Sequence, residues 1–317
     1  MSKKTSLIIA GALVLVGLVV FGGAVVASGG DFTKLGISNF QTNVHEISEQ
    51  FDSVSINSKT ADIRFLPASN GQSKVVCYER ESVKHSVSVQ GGVLEIKAVD
   101  EREWYEYLGG FGEETLTIYL PQSEYGALTI QSDTSDIDIP QNFRFDSVDI
   151  SVSTGDVECL ASVTGALKIK TSTGDIELEN MSANSIELSV STGEVSVEDV
   201  NCLGEIKITV STGKAELENV ACGSLVSKGD TGDIALKNVI ASGKFTIERS
   251  TGDVRFERSD ASEIFVKTDT GSVRGTLLTG KVFTAKTDTG RIDLPRTETG
   301  GRCEIITDTG DIKIQIA

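Results

Sequence analysis

The sequence is poor in histidine, proline and tryptophan, with two His, four Pro and one Trp in 317 residues. His45 and His85 stand 40 positions apart, which argues against His-built zinc sites and His-dependent catalytic triads. So few prolines exclude Pro-rich and collagen-like chains, although glycine is plentiful at 32. Five cysteines are an odd number, so a complete disulfide framework is excluded. Positive charge is short as well: 29 Lys and Arg face 46 Asp and Glu, a net charge of −17. Nucleic-acid binding needs clustered cations against phosphates, and this chain lacks them. An anionic membrane surface would not attract it electrostatically either.

Between Lys4 and Asp31 there is no charge at all. Residues 7–27 (LIIAGALVLVGLVVFGGAVVA) are apolar or small throughout. As a helix they span about 31 Å at 1.5 Å per residue, against a hydrocarbon core of roughly 30 Å. The expectation is a single transmembrane helix over 7–27. Lys3 and Lys4 place the stub 1–6 in the cytoplasm and the bulk of the chain outside, as a cell-membrane protein. A cleaved signal peptide ending near Val25-Val26-Ala27 is the competing reading, but the run exceeds the usual hydrophobic region of about 7–15 residues. Residues 28–43 read as a linker.

The C-terminal two thirds is a repeat. Thr-Gly recurs with its glycine at Gly155, Gly174, Gly193, Gly213, Gly232, Gly252, Gly271, Gly290 and Gly310, and Ser135 holds the preceding place. Every step is 19 or 20 residues, giving ten copies. With that glycine as origin, position −5 runs Ile130, Ile150, Ile169, Leu188, Ile208, and position +2 runs Ile137, Val157, Ile176, Val195, Ala215. Apolar and polar residues alternate with period 2, the signature of strands with one buried face. A third, shorter apolar patch follows at +7 and +9, as in Val200 with Cys202. A repeat this short cannot bury its own face, so the copies must stack. The fold class that follows is all-β: a right-handed parallel β-helix of about ten rungs over 122–317.

The repeat also predicts its own corner. Thr154-Gly155, Thr173-Gly174, Thr192-Gly193, Thr212-Gly213, Thr231-Gly232 and Thr251-Gly252 mark a structural bend. Glycine supplies φ > 0, and the following Asp can accept backbone hydrogen bonds. Continued alternation points each Thr inward, where its hydroxyl would join a stacked ladder.

Residues 44–121 read as a first rung, with Ala61 in the glycine place, interrupted by an antiparallel β cap whose strands are 74–79, 84–89, 93–98 and 115–120. Gly91-Gly92 marks a hairpin. The segment EREWYEYLGGF carries Trp104, Tyr105, Tyr107 and Phe111, either an aromatic ligand-binding loop or a plug for the solenoid end. Cys202 and Cys222 fall in one column on adjacent rungs, close enough for a disulfide but poorly aimed; buried thiols are the preferred reading. Asp136, Asp138, Asp156, Glu158, Asp175 and Glu177 line one outer face on three rungs, a candidate calcium site or simply a solvated surface.

The anchor, the recurring S-T-G-D-[IV] corners and the stretch KVVCYERESVKHSVSV resemble the bacterial adhesin-like β-strand repeat family, domain of unknown function 4097, over most of 45–317. That resemblance implies a surface-exposed β-solenoid on a bacterial membrane, with some relatives linked to envelope stress; it brings no catalytic residues and no cofactor. The reading that follows is a non-enzymatic, membrane-anchored binding protein meeting cell-wall glycan or another envelope protein, and no nucleic acid. The alternatives are an envelope-stress regulator acting through membrane partners and a carbohydrate-active β-helix enzyme.

Overall fold

The computed structural model describes residues 3–27, 39–101 and 112–317. One helix, α1 (Lys3–Ala27), precedes an all-β body. Among residues whose side chains are described, no apolar stretch is long enough to cross a membrane. The expected anchor over 7–27 is therefore not shown.

The ten copies stack in the expected register. At −7 and −5, Leu128-Ile130, Val148-Ile150, Leu167-Ile169 and Ile186-Leu188 pair laterally in parallel on one face. At +2 and +4, Ile137-Ile139, Val157-Cys159, Ile176-Leu178 and Val195-Val197 do so on a second face. All of these side chains are buried in a single continuous core. The 20-residue copies carry their extra residue at the third corner, where Leu203-Gly204-Glu205 stand against Asn184-Ser185 and Leu203 is 74% exposed.

Both ends of the stack depart from chain order. Strands β1 (Phe40–Ile47), β2 (Ser53–Asn57), β3 (Ala61–Pro67), β4 (Ser73–Arg80), β5 (Val83–Gln90), β6 (Val93–Asp100) and β7 (Glu114–Leu120) precede β8 (Glu124–Thr134) and β9 (Ile137–Ile139). The first rung, β2–β3, lies between two others: Val54 pairs with both Leu94 and Leu128, and Ile63 with both Leu116 and Ile137, all parallel. The interrupting segment is therefore more than an antiparallel cap, because β6 and β7 form one further parallel rung. Among the described residues, only β5 against β6, β4 against β7 and β1 against β4 are antiparallel. The hairpin at Gly91-Gly92 is present, with φ +58° and +81°. Strand β1 starts at Phe40, inside the segment expected to be linker, because its backbone pairs antiparallel along the otherwise open edge of β4.

At the other end, Cys303 pairs with Ile264 on one side and Phe283 on the other. The strands Arg302–Thr309 and Ile312–Ile316 are thus inserted between the rung of Val254–Thr270 and Val273–Leu277 and the outermost rung, Val282–Thr289 and Ile292–Asp293.

The corner threonines need correction. Thr154, Thr173, Thr192, Thr212, Thr231 and Thr251 are exposed, not inward. Alternation stops two residues earlier, because the chain begins to bend after position −3. The buried hydroxyls belong there: Thr171 Oγ1 donates to the Gly155 carbonyl at 3.3 Å, Thr268 to Gly252 at 3.2 Å and Thr307 to Gly271 at 2.9 Å. The glycine is required twice over. Gly174 has φ +135°, and a Cβ there would run into the carbonyl oxygen of Gly155. A second bend, at +6, uses Asn180, Asp199, Asn219 and Asn238 at φ +52° to +53°, the left-handed conformation that Asn and Asp tolerate best.

Candidate binding face and a buried polar cluster

Outward side chains on the second face come from positions +3 and +5, so each rung contributes two to a regular strip. Between these rows runs a trough of about 600 Å³ across five rungs, from Ser196 to Thr276. Its walls are Glu198, Glu216, Glu218 and Glu257 with Lys237, Arg255 and Arg274; Ser196, Ala235 and Gly275 keep it open. Lys237 pairs with Glu218, Arg255 with Asp253 at 3.8 Å and Arg274 with Asp311 at 3.3 Å. The carboxylates dominate toward the N-terminal rungs and the cations toward the C-terminal rungs.

The six candidate calcium ligands fall into two rows. Asp136, Asp156 and Asp175 form a ladder in which each Oδ1 accepts the backbone N–H of the same position one rung on: Asp156 donates to Asp136 at 2.9 Å, Asp175 to Asp156 at 2.8 Å, and Glu194 to Asp175 at 2.7 Å. One oxygen of each is thus committed to the corner. Asp138, Glu158 and Glu177 stack side by side on the adjacent row. Burial, then Asp138, Glu177 and Glu179, push the Glu158 carboxyl up. Asp138 has Arg64 at 3.4 Å. The aromatic residues Trp104, Tyr105, Tyr107 and Phe111 lie outside the described residues. All five cysteines are free and buried, including Cys202 and Cys222, which pair laterally without a bond.

Sequence reasoning missed a cluster at the N-terminal end. Glu79 Oε2 accepts both the backbone N–H of His85 at 2.7 Å and a contact from its Nδ1 at 2.8 Å. Glu79 Oε1 accepts Asn43 Nδ2 at 2.6 Å, and Ser58 Oγ lies 3.3 Å from His85 Nε2. Cys77 completes the group, its thiol pushed up to about 12 by burial and by Glu79. The Ser58–His85–Glu79 chain has the order of a hydrolytic triad. Ser58, however, is 3% exposed, and its N–H is already given to Gln131. At that exposure its hydroxyl is closed off from solvent. The two histidines looked unhelpful because they are far apart in sequence; the only signal was that Cys77, Glu79 and His85 all fall on inward positions of adjoining strands.

The family model described as Toastrack DUF4097 matches residues 51–210 and 201–317. The chain belongs to this family. Among solved structures it is similar to a "putative adhesin" from Bacteroides fragilis, with 13% identity over 87% of this chain and 97% of that one, at TM-score 0.43. A "putative adhesin" and a "Putative lipid binding protein" from Parabacteroides distasonis each show 13% identity over 88% of this chain and 98% of theirs, at TM-scores 0.47 and 0.49. No curated protein matches the chain. The Toastrack family match covers the first rung and all ten repeat copies, the same residues that build the trough and the corner ladders.

Proposed function

We propose that this chain is a membrane-anchored, extracellular β-solenoid that binds an extended polar chain of the bacterial envelope, such as cell-wall glycan, without transforming it. The observation that carries this is the trough from Ser196 to Thr276, which runs across five rungs over a continuous apolar core. Four steps at about 4.8 Å give a length of roughly 19 Å, room for several sugar rings or about six extended residues. Carboxylates stand on three of its five rungs, at Glu198, Glu216, Glu218 and Glu257, and Glu218 is already paired with Lys237, which favours binding over acid–base chemistry. α1, with Lys3 and Lys4 at its start, supports tethering with the body outside.

The test uses the full chain in detergent micelles on purified cell walls and a glycan array, with and without Ca²⁺. Saturable binding weakened about tenfold or more in Arg255→Glu/Arg274→Glu would place the ligand in the trough. Binding lost instead in Trp104→Ala would move it to the aromatic segment. No saturable binding under any condition overturns the reading and leaves a regulatory role among membrane partners.

A further inference from the structure

Among the described residues, one group of metal-ligating side chains converges: Cys77, Glu79 and His85, with ligand atoms all within 4.8 Å of one another. We propose that these three residues bind one thiophilic divalent cation, zinc(II) by their ligand chemistry, which ties the β4–β5 corner to the end of the solenoid. This site is independent of whatever the trough binds.

The donor set sets the ion. One thiol, one imidazole and one carboxylate suit zinc, whereas calcium and magnesium take oxygen ligands in greater number. Tetrahedral bonds of about 2.0–2.3 Å put neighbouring donors roughly 3.3–3.7 Å apart. The three atoms therefore need to shift by no more than about an ångström. Glu79 and His85, now 2.8 Å apart, would open slightly to admit the ion. The surroundings are those of a built site. All three residues are buried, and partners beyond them fix their orientation: Asn43 holds the second Glu79 oxygen and Ser58 faces the second His85 nitrogen. Burial of a carboxylate and a thiol side by side at an apolar core edge is costly alone, and a cation removes that cost.

Strand β1 adds a second, separate feature. There the only other histidine, His45, faces the same side as Asn43, opposite Val75 and one inward position from the Asn43–Cys77 pair. Its Nε2 is buried and has no hydrogen-bond partner. Both histidines of the chain thus sit at this end, one in the cluster and one beside it with a free nitrogen.

The experiment is a cobalt(II) titration of the full chain in detergent micelles after chelator treatment and dialysis. The expected result is one ion per chain, with a sulfur-to-cobalt charge-transfer band in the near ultraviolet that zinc(II) abolishes. Cys77→Ser should lose the band and Cys222→Ser should keep it. Should Cys77→Ser fail to fold, His85→Gln and Glu79→Gln serve instead, each weakening binding about tenfold or more. Absence of the band in the wild-type chain overturns the proposal and leaves a closed hydrogen-bond network. So does a band that survives in Cys77→Ser or disappears in Cys222→Ser.

Discussion

The carboxylate of Asp156 accepts the backbone N–H of Asp175 at 2.8 Å, one rung along the stack. The same bond recurs from Asp136 to Asp156 and from Asp233 to Asp253, and again from Asp311 to Arg291 at the reordered end. The Asp of the repeated corner is thus an inter-rung clamp. Asp156→Ala should cost about 1 kcal/mol, the net worth of an exposed, charge-assisted bond. Asp156→Asn keeps an acceptor oxygen and should cost less than half as much. Urea denaturation separates the two; equal losses would mean that charge, rather than the bond, matters.

Gly174→Ala should cost roughly 2–4 kcal/mol, since it combines an unfavourable φ with collision against the Gly155 carbonyl. Gly71→Ala is the comparison: φ is +73° there, but open space surrounds the site, so about 1 kcal/mol is expected. Similar midpoints for both variants would mean that the collision costs little and the backbone conformation alone sets the loss.

Glu187 and Glu158, on different faces, should respond to pH in opposite directions. Lys207, hydrogen-bonded to Glu187 at 2.7 Å, holds that carboxyl below its usual range. A lowered folded value contributes stability above the unfolded value, and this is lost as the pH falls through the folded one. Glu158 is raised by burial and its carboxylate neighbours, so it opposes folding once the pH has risen through its folded value. At pH 7 Glu187→Gln should lower the melting temperature slightly and Glu158→Gln should raise it. Both differences should shrink as the pH falls, that of Glu158→Gln once the pH is below the ordinary carboxylate range and that of Glu187→Gln only below its own lowered value. Differences that persist there would assign the effects to packing instead.

Arg249 occupies an inward position over Gly229, with Ser227 Oγ at 2.8 Å and the Glu248 carbonyl at 3.1 Å, and burial pushes its guanidinium down to about 10. None of the hydrogen bonds it makes is to a carboxylate. A long apolar side chain should serve better, so Arg249→Met is expected to raise stability by about 1 kcal/mol. A lower denaturation midpoint would show that the two bonds outweigh the buried charge.

The columns were legible because burial alternates with a period of 2. Ile150, Ile169, Leu188 and Ile208 announce their stacking without any structure. Parity failed at the corner, where a bend cancels the alternation, and so the buried hydroxyl is Thr171 rather than Thr173. The left-handed bend of Asn180, Asp199, Asn219 and Asn238 was readable as a column but is meaningless until φ is known. The swapped rungs were not legible, because self-similar repeats carry no label saying which copy is the neighbour. Cys77, Glu79 and His85 meet only because the β4–β5 turn carries the chain from one face to the other.

A buried ion pair bridges the swapped rungs at the C-terminal end. Lys281 lies 2.6 Å from Asp260 and donates to the Ala261 carbonyl and to Thr279. Lys281 belongs to the outermost rung and Asp260 to a rung two layers inward; between them lies the layer of Gly300 and Gly301, too small to block the side chain. The lysine therefore ties the connector of the outermost rung to the rung of Asp260, across the layer of residues 302–316. Lys281→Met strands a buried carboxylate and should cost about 3 kcal/mol. Thr279 and Ala261 still satisfy Asp260 in part. Lys281→Met/Asp260→Leu should recover most of the loss, because both charges are then gone. Nearest-neighbour coupling in a solenoid confines the damage. Hydrogen exchange should quicken over 278–317 in the single variant and stay unchanged over 144–231. Uniform quickening along the rod would mean that the end rungs and the middle unfold as one unit.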